Sequence, residues 1–192
     1  MRPAKTHRHP RLRGHDYRHG AYFVTLCTLG RSHLFGKIVG AGPDARMEPN
    51  TAGRMALDEW HALPDHFPHL RLDQVQLMPD HLHAILILDR RLLGPDGSAL
   101  RAGATDAQPR PTADHSSVPG TGGILSTGPR RGTLGVIISS FKAAVTYKLN
   151  RLDHTPGRRY WQPGYHDRII RTTRGEFERI ARYIAENPSK WR

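Results

Sequence analysis

His81 and His83 stand two positions apart in the run His81-Leu82-His83-Ala84-Ile85-Leu86-Ile87-Leu88. In a strand, that spacing sends both imidazoles to one side of the sheet. A strand is a firm base for two imidazole ligands on one metal ion. The plainer reading is a pair of surface histidines in a chain that has 13 of them. Leu82, Ala84, Leu86 and Leu88 take the opposite side and are expected to meet helices. Ile85 and Ile87 follow the histidines on their own side. Two isoleucines on an open face need a cover, which a third layer, a second subunit or a ligand would supply. Tyr183 is the other residue with chemical capacity. It falls roughly 110° from the centre of the helical stripe Phe177, Ile180, Ala181 and Ile184, at the edge of the buried face. A tyrosine there can simply pack its ring and wet its hydroxyl. Asn187 follows at i+4 on the same side, although Pro188 biases it away from helical dihedrals. Glu186 falls on the solvated side.

A small set of elements must position these residues. Ala21–Thr28 is rich in β-branched and aromatic residues and reads as a strand. Residues 30–49 read as loop. Asn50 or Thr51 caps a helix to about Ala62, with Ala52, Ala56, Trp60 and Leu63 on one stripe and Pro64 as its stop. Leu70–Met78 and His81–Leu88 are strands, and the short break at Met78-Pro79-Asp80 makes them an antiparallel pair. Residues 89–131 are dense in Gly, Pro, Ser, Thr and Ala and read as a flexible insertion. Thr133–Leu149 is a helix whose apolar face carries Leu134, Ile137, Ile138, Phe141, Val145 and Leu149. After a turn at 160–164, Tyr165–Arg171 is a fourth strand. Thr173-Arg174-Gly175-Glu176 has the form of a capping box for a last helix, which Pro188 ends. The order predicts an α+β, ferredoxin-like β-α-β-β-α-β sandwich with an antiparallel sheet, plus one added C-terminal helix that carries the tyrosine. The domain reading is a basic arm over residues 1–20, then one domain over 21–192 interrupted by the insertion at about 89–131.

The 192 residues carry 29 Lys and Arg against 17 Asp and Glu, a net charge of +12. Charge of that size predicts a polyanionic partner. The lone Cys27 excludes an intrachain disulfide and a Cys-rich zinc finger. No apolar run reaches the ~18 residues of a membrane span, and no signal-peptide core follows the basic start. The expectation is a cytoplasmic nucleic-acid protein. Lys142, Arg168 and Arg171 are candidates to track phosphates, and Trp161 or Tyr165 to stack on bases. Either aromatic can instead be core, which is the preferred reading for Trp161, and the arm can equally be a solvated tail.

Taken together, Met78-Pro79-Asp80-His81-Leu82-His83 and Ile180-Ala181-Arg182-Tyr183-Ile184-Ala185-Glu186-Asn187-Pro188 resemble the single-tyrosine HUH transposases, and among them the REP-associated tyrosine transposases. Tyr22-Phe23-Val24-Thr25, Ser140-Phe141-Lys142, Trp161-Gln162 and Tyr165–Arg171 match as well. The likeness spans about residues 15–191 without the insertion. It implies a ferredoxin-like core whose central strand offers His81 and His83 to a metal, with Asn187 as third ligand and Tyr183 as nucleophile. It also implies single-stranded or hairpin DNA as substrate and a covalent 5′-phosphotyrosine intermediate. Such a donor set suits Mg²⁺ or Mn²⁺. Asp80 departs from the Asn or Glu of many relatives, the long insertion is unusual, and a C-terminal DNA-binding extension is not expected.

Lys142 and His166 are candidates to help deprotonate the tyrosine, or are ordinary phosphate contacts or surface charge. A homodimer that shares Tyr183 between subunits stays open. Two rival functions remain. One is a zinc-dependent hydrolase built on His81, His83 and a carboxylate. The other is a non-enzymatic RNA-binding ferredoxin-like module, which would carry aromatics on the face where this chain carries histidines.

Overall fold

The computed structural model describes residues 14–94, 131–171 and 175–191. Its elements are β1 (Gly20–Cys27), β2 (Gly36–Val39), β3 (Arg46–Pro49), α1 (Thr51–His61), α2 (Leu63–His66), β4 (Leu70–Met78), β5 (His81–Leu88), α3 (Leu134–Leu152), β6 (His166–Ile170) and α4 (Glu176–Ala185). The main sheet runs β4-β5-β1-β6, with every neighbouring pair antiparallel. With α1 and α3 as the two crossovers, this is the ferredoxin-like topology.

Alternation along β1 and β5 divides the molecule into two cores. Tyr22, Val24, Leu26, Leu82, Ala84, Leu86 and Leu88 point to the first, where they meet Ala56 and Trp60 of α1 and the Leu134/Ile137/Phe141/Val145/Leu149 face of α3. Trp60 and Phe141 meet edge to face at 5.1 Å, and Lys148 pairs with Glu59 across the two helices. On the other side of the sheet, Ile85, Ile170 and Ile184 form a second buried cluster with Phe23, Ile87, Phe177 and Ile180 around it. The cover that Ile85 and Ile87 require is therefore α4, a third layer of the same chain.

Four local features differ from expectation. Residues 30–49 contain a two-stranded hairpin, β2 paired with β3. Gly36 at φ 142° lets it form, because a Cβ there would collide with the Glu48 carbonyl. Pro64 does not end helical structure but opens the short α2, where its missing N–H costs nothing. The last helix has no capping box. Its N-cap is Gly175 at φ 65°, and Glu176 turns back to accept from the Arg171 N–H at 3.0 Å; Thr173 lies outside the described residues. Finally, packing begins before residue 20. Tyr17 stacks on Tyr22 at 5.7 Å, and the Tyr22 hydroxyl donates to the His19 carbonyl at 2.6 Å.

Residues 1–13 of the arm and 95–130 of the insertion lie outside the described residues. The flanks of the insertion are held by buried His69. Its carbonyl accepts from Asp89 N and its Nε2–H donates to Gly132 O, each at 2.9 Å.

Candidate metal centre and tyrosine

His81 opens β5, directly after the Pro79-Asp80 turn, and strand parity puts it with His83 on the α4 side of the sheet. Their rings lie 4.5 Å apart, centroid to centroid. Both are buried, at 5% and 7% exposure. Each has its Nδ1 already engaged. His81 Nδ1–H donates to Asp80 Oδ1 at 2.6 Å, and His83 Nδ1 is 2.8 Å from Thr25 Oγ1. The Asp80 bond makes His81 the Nδ1–H tautomer and leaves its Nε2 lone pair for a metal, and the Thr25 contact holds the plane of the His83 ring. Burial, with the charges of His81 and Arg31 nearby, pushes the His83 imidazole down to about 3. Burial pushes His81 below the usual histidine range too, against the pull of Asp80. Both shifts favour the neutral ring, the form that a metal ligand takes.

α4 lays Tyr183 against this pair. Its ring stands 5.6 Å from that of His83 and edge-on to Phe23 at 6.1 Å. It keeps 45% of its surface exposed, in keeping with the edge position that the helical stripe implied. Lys190 Nζ lies 5.9 Å over the ring and pairs with Glu186 Oε2 at 2.8 Å. α4 ends at Ala185. Asn187 lies just past it, with helical dihedrals (φ −59°, ψ −41°) despite Pro188, and the Asn187 N–H donates to the Ile184 carbonyl at 3.2 Å, one residue short of a full α-turn from Tyr183. Trp191 then returns to the site, its ring 5.9 Å from His81. Asn187 thus lies in the chain between a residue set on His83 and one set on His81. It is buried, at 9% exposure.

Two buried imidazoles, with the buried amide of Asn187 on the segment that links Tyr183 to Trp191, are a donor set that fits a divalent ion with open positions for substrate oxygens. Among the described residues, no three of His, Cys, Asp and Glu converge as a metal-binding group. Among the described residues the zinc-hydrolase reading finds no carboxylate ligand beside the pair, since Asp80 is spent on His81 Nδ1 and on Arg31.

The other nominated residues are less alike. His166 is opposite Thr25 on β6, hence on the histidine face two strands from His83, and is exposed. Lys142 donates to the Gln162 and Gly164 carbonyls, each at 2.7 Å, and burial lowers its ammonium to about 8. Arg168 pairs with Glu176 at 2.6 Å, and Arg171 is exposed beside it. Of the two readings, base-stacking and core, Trp161 takes core in the structure. It is 7% exposed and packs on Phe35 and Phe141 at 5.4 and 5.6 Å, with no open ring face for a base. Tyr165 is half-buried against the first core.

Arg31 was not singled out from sequence, and nothing there marks it. It lies 49 positions before Asp80, in a turn with no periodic pattern. Its Nε is 2.8 Å from Asp80 Oδ2. Asp80, which in the sequence closes the short break before β5 and departs from the family pattern, links Arg31 to His81.

No protein-family profile matches the chain. An uncharacterized protein of Haemophilus influenzae is 29% identical over 182 residues, which span 94% of this chain and 87% of that one. Among solved structures, a REP-associated tyrosine transposase bound to a REP hairpin superposes with TM-score 0.54 at 16% identity, over 94% of this chain and 73% of that one. The fold is that of the tyrosine transposases. No helix among the described residues is long and apolar enough to cross a membrane.

Proposed function

We propose that the protein is a DNA transposase that cuts and rejoins single-stranded DNA through a covalent tyrosine link, with a divalent metal assisting. The observation that carries this reading is the seating of α4, which sets the Tyr183 ring 5.6 Å from His83 while His81 and His83 lie 4.5 Å apart. The likeness to a transposase bound to a DNA hairpin supports single-stranded or hairpin DNA as substrate, as does the charge of +12.

In this reading Tyr183 Oη, having lost its proton, attacks the phosphorus of one phosphodiester. The P–O3′ bond breaks, and the 3′ oxygen leaves with the electron pair and takes up a proton. Phosphorus stays bonded to the tyrosine as a 5′-phosphotyrosine. The ester is conserved, so a 3′-OH can reverse the step and join strands. A Mg²⁺ or Mn²⁺ ion held by His81, His83 and Asn187 would neutralise a non-bridging oxygen, and Mn²⁺ is the more at ease beside two nitrogen ligands. The protein's own part is positional. Asp80 and Thr25 hold the imidazoles, and α4 holds the phenol at a rim that DNA reaches from solvent.

The RNA-binding module fares worse. Its sheet face would have to be open to bases, and α4 covers that face here.

The test is an oligonucleotide incubated with the protein and Mn²⁺, then run on a denaturing protein gel. A 3′-labelled strand should migrate with the protein, while a 5′-labelled one is released ending in 3′-OH. Cleavage with both labels free of protein would instead mean hydrolysis by water.

A further inference from the structure

We propose that Arg31 is the phosphate-binding side chain of this centre, held over the histidine face by Asp80 and Cys27 so that its free guanidinium edge receives the DNA phosphate under attack. This rests on the strand-cleavage reading above. Arg31 sits in a single 3₁₀ turn, Leu29–Arg31, and is one of two non-glycine residues at positive φ among those described, at 57°. A side chain rarely adopts that conformation unless its surroundings hold it there. The turn is tied to the start of β5. Thr28 N donates to the Asp80 carbonyl at 2.9 Å, and Phe35 N to that of Pro79 at 3.0 Å. Arg31 is thereby indexed to His81.

The guanidinium is only partly used. Nε pairs with Asp80 Oδ2 at 2.8 Å, and Nη1 donates to Cys27 Sγ at 3.0 Å. Among the described residues Nη2 has no partner, and the side chain is 49% exposed. Cys27 pairs in register with His81, so the tethers place the cation at the histidine end of the sheet.

The chemistry of the site calls for such a group. Two neutral imidazoles and an amide contact at most one or two phosphate oxygens through a metal ion. Negative charge grows on the non-bridging oxygens as the tyrosine adds, and a planar guanidinium with spare N–H groups matches two of them. Asp80 offsets the repulsion that a cation beside a metal would otherwise feel.

The simpler alternative is that Arg31 only neutralises the buried Asp80 carboxylate, and the experiment separates the two. The wild-type adduct first maps the phosphate that is cut. Affinity is then measured in chelator, by anisotropy, for wild type and Arg31→Gln, each with the natural oligonucleotide and with a neutral methylphosphonate at the mapped position. Mn²⁺ binding by each protein is measured alone. The proposal expects Arg31→Gln and the methylphosphonate each to weaken binding about tenfold, and the two together to cost no more than either. Mn²⁺ affinity should stay within about threefold, since none of the three ligands has changed. Independent, multiplying losses, or unaltered DNA binding by Arg31→Gln, would overturn it. So would a large loss of Mn²⁺ binding, which would mean that Arg31 acts only through Asp80 and His81. A wild-type protein that forms no adduct would instead sink the strand-cleavage reading, and this proposal with it.

Discussion

Thr25 Oγ1 is 2.8 Å from His83 Nδ1, a hydrogen bond added to the ring contacts that His81, Phe23 and Tyr183 make with His83. Thr25→Val keeps the shape and removes the hydroxyl. It is expected to weaken Mn²⁺ binding by about tenfold, the low end of what such supporting bonds contribute, with little change in melting temperature. Isothermal titration with Mn²⁺ reads this directly, and unchanged affinity would leave Thr25 as packing. Lys142 gives a second, pH-dependent expectation. Burial lowers its folded value to about 8 from an ordinary 10.5. Between those values the unfolded chain holds more protons than the folded one, so stability should rise with pH across that window. Denaturant midpoints of wild type and Lys142→Met between pH 7.5 and 10.5 test the sign, and the rise should be missing from the variant. At this scale the histidine pair was legible because the strand period is two and cannot be misread once the strand is placed. Arg31 was not, because only tertiary folding brings it to Asp80.

The element that matters most is α4. Its outer edge presents Tyr183 while Ile184, fully buried, locks it to Ile85 and Ile170. Ile184→Ala should cost about 2–4 kcal/mol of stability by leaving a cavity under the helix. It should lower adduct yield with Tyr183 itself intact. Chemical denaturation and a single-turnover assay check the two parts, and a stability loss with full adduct yield would show that the tyrosine needs no fixed seat. α4 was readable from its stripe and its proline. The hairpin of β2 and β3 was not. Its strands of four residues each include Gly36 and Pro49, and such short runs give no alternation long enough to see. Yet this hairpin bears on the site, since β3 meets the turn after Asn187. Likewise the start of α4 looked like a capping box because Thr173 and Glu176 have the right spacing. A left-handed Gly175 took the cap position instead, and Glu176 was drawn to Arg168 and the Arg171 N–H.

For the molecule as a whole, charge sets the expected binding behaviour. With about five phosphate contacts to a single strand, the slope of log affinity against log salt should be near −3.5. Removing residues 1–13 takes away Arg2, Lys5, Arg8, Arg11 and Arg13 but spares Tyr17, which packs on Tyr22. If these residues touch DNA, that truncation flattens the slope by roughly 1 or more while saturated cleavage persists. An unchanged slope would make them a solvated tail. The 95–128 stretch has no periodic apolar face, and His69 already ties its flanks. Deleting it should leave melting temperature and adduct yield nearly unaltered, because closure entropy varies slowly with loop length. Unfolding on deletion would mean that the segment packs. The ferredoxin-like order was legible at this scale because six periodic elements keep their β-α-β-β-α-β sequence despite the long breaks after β1 and β5. Where the second core would come from was not, since Ile85 and Ile87 asked for a cover without naming it.

The central claim is that Tyr183 is the nucleophile, and the most direct measurement is covalent adduct formation by Tyr183→Phe beside wild type on the same 3′-labelled DNA. The side chain is 45% exposed, so losing one hydroxyl should leave fold and DNA affinity within about threefold. The account predicts a wild-type adduct whose DNA-linked peptide contains Tyr183, and none from the variant. An adduct of comparable yield from Tyr183→Phe would contradict it and move the chemistry to another tyrosine, Tyr165 first.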